Sequence, residues 1–175
     1  MAEGLARKLA KESGLQAEFR SAGVFALDGA EISQHSAQIL RERGITDEIV
    51  SRPLTKERVD WADLILTMTN AHKRVVIQRH PEAVEKTFTL KEYVEDDEQV
   101  IAQRAESERL IVELELKKAA GQPISKEEEE RLSQLQQLLP AHEISDPFGR
   151  DLETYRRCAD EIEACLNKLV RKLSG

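Results

Sequence analysis

Aromatic residues make up only 4% of this chain, which holds two cysteines and one tryptophan. Its longest apolar runs are three or four residues, far short of a membrane span. The first residues are charged and mixed (Glu3, Arg7, Lys8, Lys11, Glu12), so they form no secretory signal, and a cytoplasmic location is the default expectation. No basic patch with interleaved aromatics occurs, which argues against nucleic acid. His35, His72, His80 and His142 are scattered and fit no metal-ligand spacing, so neither metal nor cofactor is expected.

Cys158 and Cys165 lie seven apart in a helical pattern. That spacing puts their Cα atoms roughly 10 Å apart, beyond disulfide reach. They read as small, reduced, apolar side chains. Cys165 to Arg171 formally fits Cys-x5-Arg, a spacing that grips phosphate when the loop wraps it with backbone N–H groups. Here the intervening residues are helix formers without glycine, and helical amides are already bonded, so core packing is the expectation. The chain therefore offers no convincing nucleophile.

The length of 175 residues suits one domain. Acidity is local: residues 95–139 carry 12 acidic and 6 basic side chains, so -6 of the formal net charge of -7 resides there. Helical periodicity predicts helices over residues 1–13 (stopped by Gly14), 33–43 (capped by Ser33), from Thr55 onward, and from about Leu152 to Leu173. A further helix across His72 to Arg79 is expected to start at an Asn70 cap. Strands are expected over 17–24, 62–69 and 87–90, with 62–69 buried on both faces. Alternating helix and strand implies an α/β three-layer domain with a parallel sheet. Between the third strand and residue 140, two helices meet at Gly121-Gln122-Pro123, the second opened by a Ser125/Glu128 capping box. They read as an acidic helical hairpin inserted into the single domain spanning 1–175. Its apolar residues (Val100, Ile101, Leu110, Leu114, Leu132, Leu135, Leu139) either pack on each other or contact a partner.

Chemistry points to Ser145-Asp146-Pro147-Phe148-Gly149. Proline holds the backbone extended after Asp146, and Gly149 lets the chain turn back. Beside Phe148 the carboxylate would be partly desolvated, raising its pKa towards that of a general acid. The plainer alternative is a turn residue or helix cap. Ser21 stands at a strand end, where it either orients a neighbouring loop or simply ends the strand.

Taken together, Met1-Ala2-Glu3-Gly4-Leu5, Arg20-Ser21-Ala22-Gly23-Val24-Phe25-Ala26, Pro53-Leu54-Thr55-Lys56-Glu57, the stretch from Ala62 to Thr69, Phe88-Thr89-Leu90-Lys91-Glu92-Tyr93 and Asp146-Pro147-Phe148-Gly149 occur in a telling order. They resemble the low molecular weight protein tyrosine phosphatase family, in particular its bacterial arginine phosphatase-like branch. The resemblance implies a small parallel sheet flanked by helices and a site without metal. It implies hydrolysis of phosphotyrosine or phosphoarginine on a protein substrate through a cysteinyl-phosphate intermediate. It would make Asp146 the general acid, Phe148 the aromatic wall beside the substrate, and Ser21 a support of the phosphate loop.

Departures from the family pattern accompany it. The strand and Cys-x5-Arg-Ser-Pro loop that precede Met-Ala-Glu-Gly-Leu in the family are not in this sequence, and Ile49 stands where many members have histidine. The expectation is a start at an internal methionine and a chain that is unstable or inactive as written. The alternatives are a non-catalytic binding protein using the hairpin, or an arsenate reductase-like protein. The sequence leaves the oligomeric state open.

Overall fold

The computed structural model describes residues 1–175, which form two compact units: residues 1–94 with 142–175, and residues 95–141. In the first unit the elements run α1 (Ala2–Ser13), α2 (Gln34–Glu42), α3 (Lys56–Trp61), β1 (Ile65–Thr67), α4 (Asn70–Arg79), a 3-10 turn (Pro81–Lys86), β2 (Thr87–Thr89) and α5 (Leu90–Tyr93). The second unit holds α6 (Glu98–Ala119) and α7 (Lys126–Leu138), and α8 (Leu152–Ser174) returns to the first.

Local chemistry sets most helix ends. Ser33, Thr55 and Asp151 each accept a backbone N–H in the first turn of α2, α3 and α8. The helix after β1 begins one residue earlier than the Asn70 cap expected from sequence. Thr69 is the cap, its hydroxyl accepting the His72 N–H at 3.2 Å, while the Asn70 N–H donates to the Glu143 carboxylate at 2.8 Å.

β1 and β2 pair in parallel, with Leu66 opposite Phe88, and helices flank them. The strand expected over 62–69 keeps only its central three residues, and the one over 17–24 does not form a ladder. A strand needs a neighbour, and this segment's hydrogen-bonding groups are taken by α1 side chains instead. Arg7 Nε donates to the Phe19 carbonyl at 3.0 Å, and the Ser21 N–H donates to Glu3 Oε2 at 3.1 Å. Gly23 alone forms a backbone bridge, to Pro53 in parallel, through Gly23 N–H to the Arg52 carbonyl (2.8 Å) and Leu54 N–H to the Gly23 carbonyl (3.0 Å), while the Val24 carbonyl accepts from the Arg79 guanidinium at 2.6 Å.

The core of this unit gathers Leu5, Leu40, Ile45, Ile49, Leu90, Ile144, Ile162, Leu166 and Leu169. α8 contributes one face, from Tyr155 through Cys158 and Ile162 to Leu169, and α1 packs along it. Gly4 permits a close approach in the first turn of α1. A Cβ there would lie 2.9 Å from Ile49 Cδ1 and 3.1 Å from Leu40 Cδ2.

In the second unit, Asp97 caps α6 and the reciprocal Ser125/Glu128 capping box opens α7. Gly121 turns the chain between them with φ 66°. Arg131 pairs with Glu106 at 2.6 Å, and Lys117 pairs with Glu128. No helix in the chain is long and apolar enough to cross a membrane.

Candidate active site

The Asp146 segment is held at its root by backbone and carboxylate contacts. Ile144 N–H donates to the Met68 carbonyl just beyond β1 (2.9 Å), Glu143 accepts the first N–H of α4, and the Cys158 thiol donates to the Ser145 carbonyl at 3.5 Å. The loop thus leaves the carboxyl end of a parallel strand, the edge where open α/β sheets present their sites.

Asp146 Oδ1 accepts the Phe148 N–H at 3.0 Å, and the Arg150 N–H donates to the Pro147 carbonyl at 2.9 Å. Gly149 completes the turn in the left-handed region, with φ 75°. The carboxylate is exposed and the Phe148 ring is 79% exposed. The desolvation expected from sequence is therefore not met, because nothing apolar covers the acid. Asp151, rather than Asp146, caps α8.

Ser21 is held on a different partner from any that sequence suggested. Its hydroxyl donates to Glu3 Oε2 at 2.5 Å, alongside its own N–H. Glu3 is 7% exposed and also pairs with Arg7 one turn along α1. A buried carboxylate is tolerable only when paired and hydrogen-bonded, and here both of its oxygens are engaged. The one sequence clue was Glu3 and Arg7 four apart in the opening of a helix.

Cys158 links the two candidate regions. It lies beneath the Asp146 loop through Ser145, and it shares the core cluster that receives Met1 and Ala2 at the start of α1. The first turn of α1 and the Asp146 loop thus flank one thiol. Burial pushes the Cys158 thiol above its ordinary value, with Glu161 and Asp146 adding to the effect. Cys165 is raised too, again chiefly by burial. Both sulfurs are thus held as thiols, the unreactive form. Cys165 to Arg171 lies wholly within α8, so it forms no phosphate loop. Ile49 is 8% exposed and walls the core against Gly4.

A small parallel sheet flanked by helices, with an Asp-Pro-Phe-Gly turn leaving its carboxyl edge, is the outline of a compact phosphatase. Residues 1–103 match the family model described as "Low molecular weight phosphotyrosine protein phosphatase", and the chain belongs to this family. It is 33% identical over 156 residues to a protein-arginine-phosphatase of Geobacillus stearothermophilus, covering 89% of this chain and 76% of that one. It is 30% identical over 173 residues to a protein-arginine-phosphatase of Bacillus subtilis, covering 99% and 87%. Among solved structures it resembles a cysteine-to-serine mutant of YwlE arginine phosphatase with a phosphorylated active-site serine. The TM-score is 0.71 at 29% identity, covering 99% of this chain and 86% of that one.

Proposed function

We propose that these residues form the acid-bearing and supporting part of a protein phosphatase acting on phosphoarginine, with phosphotyrosine as the alternative substrate. The observation that carries this reading is the match to two arginine phosphatases along 89% and 99% of the chain, with Asp146-Pro147-Phe148-Gly149 at the carboxyl edge of the sheet. The hairpin then interrupts a single phosphatase domain.

In this reading a thiolate attacks phosphorus and the bond to the side-chain nitrogen or oxygen breaks. Asp146 gives its proton to the leaving group, so that no anion is expelled. An exposed carboxylate on a turn suits this role, since substrate binding itself would supply the missing cover. Phe148, standing clear of the surface, would form the wall against the substrate side chain. Ser21 and Glu3 would brace the phosphate loop from the first turn of α1. The phosphoserine in the YwlE mutant supports a phosphoenzyme route for that relative.

The 175 residues contain no Cys-x5-Arg-Ser-Pro, and their two thiols are buried and half-buried. One buried and one half-buried thiol disfavour an arsenate reductase, which must shuttle a disulfide.

The test is a graft. A strand and Cys-x5-Arg-Ser-Pro segment from a relative is joined in frame before Met1. The graft is expected to hydrolyse phosphoarginine on a protein, and Asp146→Asn to slow it about 100-fold or more. A folded graft that turns over neither phosphoarginine nor phosphotyrosine overturns the reading. An unchanged rate in the Asp146→Asn graft removes Asp146 from the mechanism.

A further inference from the structure

The hairpin presents an apolar stripe that its own partner helix leaves uncovered. Along α6, Ile101, Val112 and Leu116 are 48%, 55% and 65% exposed. Ala105, Glu108 and Arg109 lie on the same stripe, and with Val112, Glu113 and Leu116 they line a shallow groove. Of the buried residues of α6, Ser107 and Leu114 fall on the other side of the helix, and Arg104 borders the stripe. Single exposed apolar residues are ordinary. Three of them in line over about 22 Å of one helix are a surface that favours a partner.

The spacing identifies that partner. We propose that α6 self-associates with a second copy of this chain, antiparallel, about a two-fold axis between Glu108 and Arg109. In that register Ile101 meets Leu116 of the other copy and small Ala105 meets larger Val112. Glu108 meets Arg109, and the symmetry repeats each pair. No shift of register is needed to match apolar with apolar and acid with base along the whole stripe. The charges agree with this: Glu106 is paired with Arg131, and Lys117 with Glu113 and Glu128, whereas Glu108 and Arg109 are in no ion pair within the chain. They are the two charges nearest the axis. The net -6 on each hairpin stretch opposes association. At 0.15 M salt that repulsion is screened beyond about 8 Å, which leaves the contacts across the stripe to decide.

The experiment is sedimentation equilibrium of the full 175-residue chain at 0.15 M salt, with circular dichroism as a check on folding. A concentration-dependent dimer is expected. Glu108→Arg and Arg109→Glu each place like charges face to face twice, so each should raise the dimer dissociation constant at least about tenfold. The double variant restores opposite charges across the axis and should recover most of the loss. The combined variant Ala105→Cys with Val112→Cys should link two copies covalently on oxidation. A chain that stays monomeric overturns the proposal. So does a dimer indifferent to the single reversals, or a double variant no better than the singles. If the stripe takes a different protein while the chain alone stays monomeric, the self-association is likewise refuted. Should the chain not remain dispersed for sedimentation, the oxidative link is read instead, and its absence overturns the proposal.

Discussion

Ser21 gives both its backbone N–H and its hydroxyl to a single oxygen of Glu3, eighteen residues earlier, while Arg7 holds the other oxygen. This clamp fixes the segment after α1 without a strand ladder. It also sits in the first helical turn, where a buried carboxylate is favoured by the helix dipole. Ser21→Ala removes one charge-assisted bond and is expected to cost ~1 kcal/mol. Glu3→Ala removes the Arg7 ion pair and the Ser21 N–H bond as well, so it should cost more, ~2 kcal/mol. Urea unfolding midpoints measure both. Equal, negligible shifts would show the clamp to be incidental.

A second prediction concerns close packing. A Cβ on Gly4 would stand 2.9 Å from Ile49 Cδ1. Gly4→Ala gains helix propensity but overfills this contact, with an expected net loss of ~1–2 kcal/mol. Ile49→Val deletes that same Cδ1, so the double variant should lose clearly less than the two singles added together. Strict additivity in thermal unfolding would place the strain elsewhere.

The thiols set a pH dependence. Burial raises both Cys158 and Cys165 in the folded chain. A raised acid favours the folded state while protonated. Its contribution is complete below the ordinary thiol value of about 8.5 and is lost as pH climbs through the raised one. Unfolding free energy should therefore fall on going alkaline from about pH 8.5. The slope, rather than the absolute stability, should flatten in a variant with both cysteines changed to alanine. Native alkylation at pH 7.5 should also be far slower than in urea. Identical slopes with and without the thiols would exclude them as the cause.

Sequence spoke clearly wherever one short stretch carried its own reason. The Ser33 and Ser125 caps, the helix start at Thr55, the Gly14 stop and the Gly121 break are local, and each stands where its chemistry requires. Strands were read less well because a ladder is a property of two segments. Residues 17–24 alternate as a strand should, yet Glu3 and Arg7 take their backbone groups. The Asp146 turn was legible from Asp-Pro and glycine, but its exposure was not, since cover depends on residues far away in sequence. The Glu3–Ser21 clamp had almost no sequence signature for the same reason.

The core is anchored on either side of the hairpin. Val94, 5% exposed, is the last buried residue before residues 95–141, and Ile144, 1% exposed and bonded to Met68, is the first after them. The acidic turn thus takes its position from Ile144, not from the excursion that precedes it. Closing a longer loop costs little, about 0.6 kcal/mol per doubling of its length. Residues 95–141 can thus change in length at little cost while Asp146 keeps its place at the sheet edge.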